Sequence, residues 1–538
     1  MEEKGRTRGT LKKKILLSRK GQTIFLNKID PDGNMKYVLK IIALAIVVFS
    51  CSKKVSTNSE VESQKSRTIV TTDGEIDDVD SFIRMLLYAN EFKLEGLVIS
   101  SSMWHYKGDG NGTLFTSEME MTKKLYGAIP DLRWPGTEWM NPLIDAYEEA
   151  YPKLSQHAEG FPTASHLRSL VKVGNIDFEG EMEKVTEGSE FIKASLLDDN
   201  MEPLYLQVWG GTNTIARALK SIEEEYKNTE QWEAVYKKVC DKAIIYAILD
   251  QDATYRKYIA PNWPDVKIFY NSNQFWCFAY PWKSAVPTEQ HYLFEGKFMG
   301  EEIINNHGPL LKQYYSYGDG LKQEGDDEHI HGDLSKLKGT QWGDFGQYDF
   351  ISEGDSPAYL HLIDVGLDNL NNPSWGGWGG RLVQSTEQAN RWEDGDAAKD
   401  FSPYTKEMDA TYPQIRWVKA IQEDFAARAD WCINDFADAN HAPIVTAVTP
   451  NEISAKPGET VSLEISASDP DGNEIATIFW IYKEVGTYEQ EAQLSSNGMT
   501  ATIELADSDT GTLHIIAEVK DNGVHSMTRY QRFVIKVE

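Results

Sequence analysis

At 538 residues, with 41% apolar and 11% aromatic content, the chain is too long for one compact domain and carries enough apolar residues for a large core. A formal net charge of -29 excludes nucleic acid as a partner, because phosphate contacts need a basic face. The charge is uneven: residues 1–50 hold 11 Lys and Arg against 4 Asp and Glu, a net of +7, which leaves -36 on the remainder.

A basic head on an acidic body marks a targeting segment. Met35-Lys36-Tyr37-Val38-Leu39-Lys40 reads as a cleaner N-terminus than Met1. The apolar run 41–49 is too short to span a bilayer and fits a signal-peptide core. It ends in Val48-Phe49-Ser50-Cys51, a small residue before a cysteine, which is the pattern of a bacterial lipobox with Cys51 as the lipidated residue. Residues 1–51 are therefore expected to be an N-terminal extension and lipoprotein signal. Residues 52–66, rich in Ser, Lys and Glu, are expected to be a flexible tether to an envelope-anchored, exported body. The remaining cysteines, Cys240, Cys277 and Cys432, are odd in number and imply no disulfide framework.

The body opens with a short strand at 67–70. Thr71-Thr72-Asp73-Gly74-Glu75-Ile76-Asp77-Asp78-Val79-Asp80 follows, then apolar residues Phe82, Ile83, Met85, Leu86 and Leu87 at helical spacing. Residues 94–101 read as a second strand. This is a βαβ unit, hence a parallel sheet, whose ligands bind at the carboxyl ends of the strands. Carboxylates clustered at such an end repel one another without a cation, and an all-oxygen set suits a hard one such as calcium. An acidic loop capping the helix is the alternative for the same residues.

Further along, 203–209 reads as a strand, and Gly210-Gly211-Thr212-Asn213-Thr214 turns from it into a helix. Asp250 and the stretch Phe269-Tyr270-Asn271-Ser272-Asn273-Gln274-Phe275-Trp276 lie in the middle of the body. Next come His329-Ile330-His331, weak evidence for zinc, and Ile351-Ser352-Glu353-Gly354-Asp355-Ser356-Pro357 before an apolar helix. Asn372-Pro373-Ser374-Trp375-Gly376-Gly377-Trp378-Gly379-Gly380-Arg381 is a glycine-rich loop whose aromatic faces could stack on sugar rings or bases.

These motifs resemble those of the calcium-dependent nucleoside hydrolases, which carry Asp-x-Asp-Pro-Gly-x-Asp-Asp after the first strand. The resemblance implies a calcium site of Asp73, Asp78, Asp355 and the Trp209 carbonyl. It makes Asp73 the residue that activates water, Asp77 a holder of sugar hydroxyls, and Asn271 or Asn273 a sugar-binding amide. Thr71 stands where the family has its first aspartate, and Gly354 where it has a histidine that assists the leaving group. The Trp-Gly loop, the Asp-Gly-Glu-Ile-Asp-Asp variant and the Gly-Asp-Ser-Pro turn together resemble a narrower group of exported bacterial proteins that join such a domain to a β-sandwich and have been described as cellulose-binding. That resemblance implies Trp375, Trp378 and Arg381 as substrate-binding residues.

After His441-Ala442-Pro443 the pattern changes to short alternating runs at 460–465, 476–482, 499–505 and 512–519, separated by turns such as Asp469-Pro470-Asp471-Gly472. This rhythm predicts an immunoglobulin-like sandwich over 442–538 behind a nucleoside-hydrolase-like α/β domain over 67–441, with an open, mostly parallel sheet and flanking helices. The expected function is calcium-dependent hydrolysis of N-glycosyl or related glycosidic bonds. The alternative is a non-catalytic binder of cellulose-like polysaccharide on the same scaffold.

Overall fold

The computed structural model describes residues 65–325 and 331–538. The leader with Cys51, nearly all of the tether and His329 lie outside the described residues.

An eight-stranded sheet organises the first part. Its strands are β1 (Arg67–Thr72), β2 (Lys93–Ile99), β3 (Val171–Val173), β4 (Leu204–Val208), β5 (Ala243–Ile248), β6 (Lys267–Asn271), β7 (Val383–Gln384) and β8 (Arg391–Glu393). They lie in the order β3-β2-β1-β4-β5-β6-β8-β7, all parallel except the β8–β7 pair at the edge. β1 and β5 are buried along their whole length, as parallel strands covered on both faces must be. Alternate side chains serve different cores. Val70, Tyr205 and Tyr246 point into one, and Ile69, Leu206 and Ile245 into the other. The flanking helices used below are α1 (Ile76–Leu87), α2 (Met140–His157), α3 (Asn213–Tyr226), α4 (Ser356–Leu360) and α5 (Val418–Trp431). Among the described residues no helix is long and apolar enough to cross a membrane.

The second part is a sandwich of β9 (Ile444–Ala447), β10 (Glu452–Ala455), β11 (Thr460–Ser468), β12 (Ile475–Ile481), β13 (Gln493–Asn497), β14 (Thr500–Glu504), β15 (Gly511–Asp521) and β16 (Thr528–Val537). One sheet runs β9-β11-β14-β13, the other β10-β16-β15-β12. β11 alternates exposed and buried residues, so one face is wet. β15 and β16 are buried on most of their residues, because their outer face rests on the α/β part. Ile516, Met527, Tyr530 and Tyr482 belong to the same core as α1 and α5. Residues 64–538 accordingly form one unit.

The Asp469-Pro470-Asp471-Gly472 turn braces the junction. Asp469 Oδ1 accepts from the Asp471 and Asn473 amides, and the Asp471 carboxylate accepts from the His441 amide at 2.7 Å and faces the His441 ring at 2.8 Å. Cys277 and Cys432 are buried and Cys240 is half-buried, all as free thiols. Burial pushes the Cys240 thiol up to about 12, so it is inert at neutral pH.

Candidate functional site

The carboxylates stand where the parallel strands end. β1 stops at Thr72 and α1 begins at Ile76, so Asp73 lies in the turn while Asp77 and Asp78 fill the first turn of the helix. Gly74 takes φ +78°, a left-handed conformation that favours glycine. The turn is tied internally. Thr72 Oγ1 and the Asp73 amide both donate to Asp78 Oδ1, the latter at 3.2 Å. Asp78 therefore does part of the bracing that a capping loop would do, but it braces the turn and not the helix end. Glu75, the N-cap of α1, makes no side-chain capping bond.

Asp355 arrives from the other side of the sequence as the N-cap residue of α4, and it too makes no capping hydrogen bond. One carboxylate oxygen each from Asp77, Asp78 and Asp355 lie within 4.8 Å of one another. Asp73, Asp78 and Asp355 are almost completely buried. Asp73 Oδ2 and Asp355 Oδ2 have no hydrogen-bond partner. Burial raises all four carboxyl groups, and mutual repulsion adds to it. Asp73 is pushed up to about 6 by burial and by Glu75. Asp77, Asp78 and Asp355 are held well above the usual carboxylate range by burial first and then by one another and the neighbouring Glu75 and Asp73. An all-oxygen set with orphaned buried oxygens and uncompensated charge fits a hard divalent cation.

Gly210 makes room for this cluster. A Cβ there would stand 2.8 Å from Asp73 Cγ, and one on Gly354 would stand 2.9 Å from Asp77 Oδ2. The Trp209 carbonyl, at the end of β4, accepts from Gln251 Nε2 at 2.8 Å and keeps one lone pair. Thr71, in place of the first motif aspartate, turns its hydroxyl to the Gln207 carbonyl at 3.1 Å and has no part in the cluster.

Two expectations need correction. Asn271 is fully buried and uses both ends of its amide, Nδ2 to the Tyr246 hydroxyl at 3.3 Å and Oδ1 from the Phe275 amide at 3.0 Å. These two bonds tie the end of β6 to Tyr246 and to the turn that follows. Asn273 is half-buried, and its side-chain amide is uncommitted among the described residues, so it is the better sugar-binding candidate. The Trp-Gly loop is an internal joint. Trp378 is fully buried. Arg381 pairs through Nε and Nη2 with the buried Asp400 at 2.9 and 2.8 Å. Trp375 meets His514 of the sandwich edge-on at 5.2 Å. The glycines serve close packing: a Cβ on Gly379 would come within 2.6 Å of the His361 backbone, and one on Gly377 within 2.5 Å of Asn369.

The site also holds residues that sequence motifs did not mark. His105 follows β2 and is buried, with Nδ1 3.8 Å from Asp73 Oδ2 and 3.9 Å from Glu75 Oε2. Tyr280 donates its hydroxyl to Glu75 Oε1 at 3.0 Å, and its ring stacks on the partly exposed Trp342 with centroids 6.5 Å apart. Of this pair Trp342 is exposed and Tyr280 half-buried. The available signal for His105 was positional: it lies just past the carboxyl end of a parallel strand, as the aspartates do.

Comparison with known proteins finds family models over both parts of the chain and a solved structure of similar architecture. The family described as cellulose-binding Sde182, nucleoside hydrolase-like domain, matches residues 67–382, and the C-terminal domain of cellulose-binding protein Sde0182 matches residues 460–537. Among solved structures, a nucleoside hydrolase-related hypothetical protein from Saccharophagus degradans, associated with carbohydrate metabolism, superposes with a TM-score of 0.64 at 25% identity, over 88% of this chain and 100% of that one. The plant nucleoside hydrolase PpNRh1 matches at 10% identity and a TM-score of 0.29, over 68% of this chain and 99% of its own. Titin domain M7 matches at 13% identity and a TM-score of 0.14, over 18% of this chain and 96% of its own. Among curated proteins none matches this sequence. One family thus covers more than half of the sequence, its companion domain covers most of the sandwich, and the chain belongs to the Sde182 nucleoside hydrolase-like family.

Proposed function

We propose that the protein hydrolyses a glycosidic bond, N-glycosyl or related, in a saccharide-containing substrate. The observation that carries this reading is the set of four aspartates at the carboxyl edge of the sheet, three of them buried and two, Asp73 and Asp355, with an orphaned oxygen. Asp77, Asp78 and Asp355 would hold calcium, joined by the free lone pair of the Trp209 carbonyl, and the ion would offset their charge and acidify water beside them. This proposal gives Asp77 a ligand's place, where the resemblance gives one to Asp73, because its carboxylate lies within 4.8 Å of those of Asp78 and Asp355.

Asp73 acts as general base. Its Oδ2 has no hydrogen-bond partner, so its lone pairs are free to accept a proton from the attacking water. His105 stands beside that carboxylate, its Nδ1 3.8 Å from Oδ2 and beyond hydrogen-bond distance. Asn273 and the Tyr280–Trp342 platform engage the sugar, whose ring gains positive charge as the bond breaks. The proton for the leaving group has no donor at Gly354, so the substrate is one whose leaving group departs without help from that position.

The test is calorimetric titration of the full chain with calcium, wild type against Asp78→Ala, followed by turnover of nucleosides and aryl glycosides. Calcium binding that the variant loses, with turnover lost in Asp73→Ala, supports the proposal. Absence of calcium binding by folded wild type overturns it.

The second reading is a non-catalytic polysaccharide binder, favoured by Gly354 and by the family's description as cellulose-binding. It expects polysaccharide binding without turnover, unchanged in Asp73→Ala. Export with a lipid on Cys51 is proposed for either case; mass spectrometry of the mature N-terminus, lost in Cys51→Ser, checks it.

A further inference from the structure

Where the sandwich meets the α/β part, two histidines are surrounded by proton acceptors. His525 lies in the loop between β15 and β16, in a left-handed conformation with φ +53°. Its side chain faces three carboxylates, Glu423 and Asp430 from α5 and Glu302 from the helical turn Met299–Ile304. Nε2 stands 3.3 Å from Glu302 and 4.0 Å from Asp430, and Nδ1 stands 3.7 Å from Glu423. Phe298 meets the ring edge-on, centroids 6.3 Å apart, and His307 faces the other oxygen of Asp430 at 3.4 Å. These groups do not converge as metal ligands do. Among the described residues only Asp77, Asp78 and Asp355 bring three ligand atoms within 4.8 Å of one another. Burial works against a charge on His525, but Glu423, Asp430 and Glu302 outweigh it and raise the group from 6.5. The His525 carbonyl accepts from Asn440 Nδ2 at 3.2 Å, and the same amide donates to both oxygens of Asp521 at 3.1 Å. The loop is thereby fastened to the connector, next to His441.

His441 makes a second contact of this kind. Its Nδ1 is 2.8 Å from Asp471 Oδ1, its Nε2 is 2.9 Å from His157 Nδ1, and His157 Nε2 is 3.2 Å from the Asn434 carbonyl. Each of the three links requires one proton. The carboxylate and the carbonyl bring none, and two neutral imidazoles bring two. A third proton completes the chain; without it, lone pairs oppose each other across one link. Burial pushes His157 down to about 4, so the extra proton resides on His441 beside Asp471. Phe436 and Trp431 stack on the His441 ring, with centroids 3.9 and 5.3 Å away, and aromatic faces favour a cation. Behind His157 stand Asp435 and, 2.5 Å from it, Lys153.

We infer that the junction is a proton-dependent clasp: His525 of the sandwich and His441 of the connector dock against the α/β part as imidazolium ions, so the joint tightens as pH falls and slackens as pH rises. For His525 the sign follows from its raised value. The stability it contributes is fully present below 6.5 and is lost as pH rises through the native value. The clasp works whether or not the carboxylates at the sheet edge hold a cation.

The test is calorimetric melting of the full chain at about pH 6 and about pH 8.5, for wild type, His525→Gln and His441→Gln. Each variant is expected to melt below wild type at the lower pH and to lose at least half of that deficit at the higher pH, where wild type has also lost the charge. Asp73 and Glu179, pushed up to about 6 and about 7, titrate in this range too, but they are common to all three proteins and cancel from the deficit. A deficit equal at the two pH values, in either variant, overturns the clasp. If the buried His441→Gln fails to fold, nuclear magnetic resonance of wild type labelled with 15N-histidine takes its place. The native His441 ring should then carry protons on both nitrogens at about pH 6, and one bare nitrogen overturns the proposal. In the same spectra His525 should take up its proton at higher pH in the native than in the urea-unfolded chain. Uptake at equal or lower pH overturns it as well.

Discussion

Gly210 shows how a single residue sets the site. Its missing Cβ is the space that the Asp73 carboxylate fills. Gly210→Ala should destabilise by about 1–3 kcal/mol through overpacking, read from urea unfolding. It should also lower turnover about 10²-fold by displacing Asp73. Unchanged stability would mean that the turn yields without cost. Glu179 is a second residue with a defined consequence. It is buried, accepts from the Glu118 amide at 3.1 Å through Oε1, and leaves Oε2 without a partner. Burial, then the charge of Asp252, pushes it from 4.5 up to about 7. The folded state therefore favours the neutral form. The associated stability is fully present below about 4.5 and is lost as pH rises through about 7. Glu179→Gln should flatten that decline, by on the order of 2 kcal/mol at neutral pH; identical melting curves against pH would refute it. The aspartates were legible in the sequence because their spacing repeats a motif. His105, Tyr280 and Trp342 were not, because they reach the turn only through tertiary contacts from separate loops.

At the scale of elements, the β1–turn–α1 unit is the piece that both sequence and structure single out. Both elements are buried almost throughout, yet only Ile69 and Val70 of the strand are apolar; Thr68 and Thr71 are buried by donating their hydroxyls to the Tyr205 and Gln207 carbonyls. Thr72 links strand and helix by donating to Asp78. Thr72→Val keeps the shape and removes that donor, so it should cost about 1–3 kcal/mol and weaken calcium binding in the same titration. Affinity equal to wild type would show that Asp78 is placed by α1 alone. Of the sandwich strands that sequence patterning found, β11 and β14 alternate exposed and buried residues, whereas β15 has no exposed residue. β16 escaped because Arg529, Gln531 and Arg532 interrupt its apolar pattern: Phe533, Ile535 and Val537 enter the sandwich core, while Tyr530 and Arg532 meet the α/β part. The Trp-Gly loop misled for a related reason: Trp, Gly and Arg are as useful for joining two domains as for holding a sugar, and only burial separates the uses.

At the scale of the whole molecule, the junction is dense with polar contacts. Asp400 is fully buried and accepts from the Tyr482 hydroxyl at 2.6 Å while pairing with Arg381 and, at 3.0 Å, Arg416. Trp417 meets Tyr530 at 5.3 Å and Trp480 at 6.1 Å between centroids. Trp417→Ala should cost about 3–5 kcal/mol and lower the melting of both parts together. Two separate calorimetric transitions would show that they fold independently. One chain of contacts deserves following to its end. Arg532 of β16 donates to the Trp375 carbonyl at 2.8 Å, the same loop offers the Gly379 carbonyl to Tyr246 at 2.9 Å, and Tyr246 meets Asn271 at the carboxyl edge of the sheet. A tandem protein whose modules hang like beads can trade one for another by recombination. Here the last strand of one module is keyed into the floor of the other, so a foreign sandwich of identical topology would leave the loop unsupported, and the two halves can only have diverged in step.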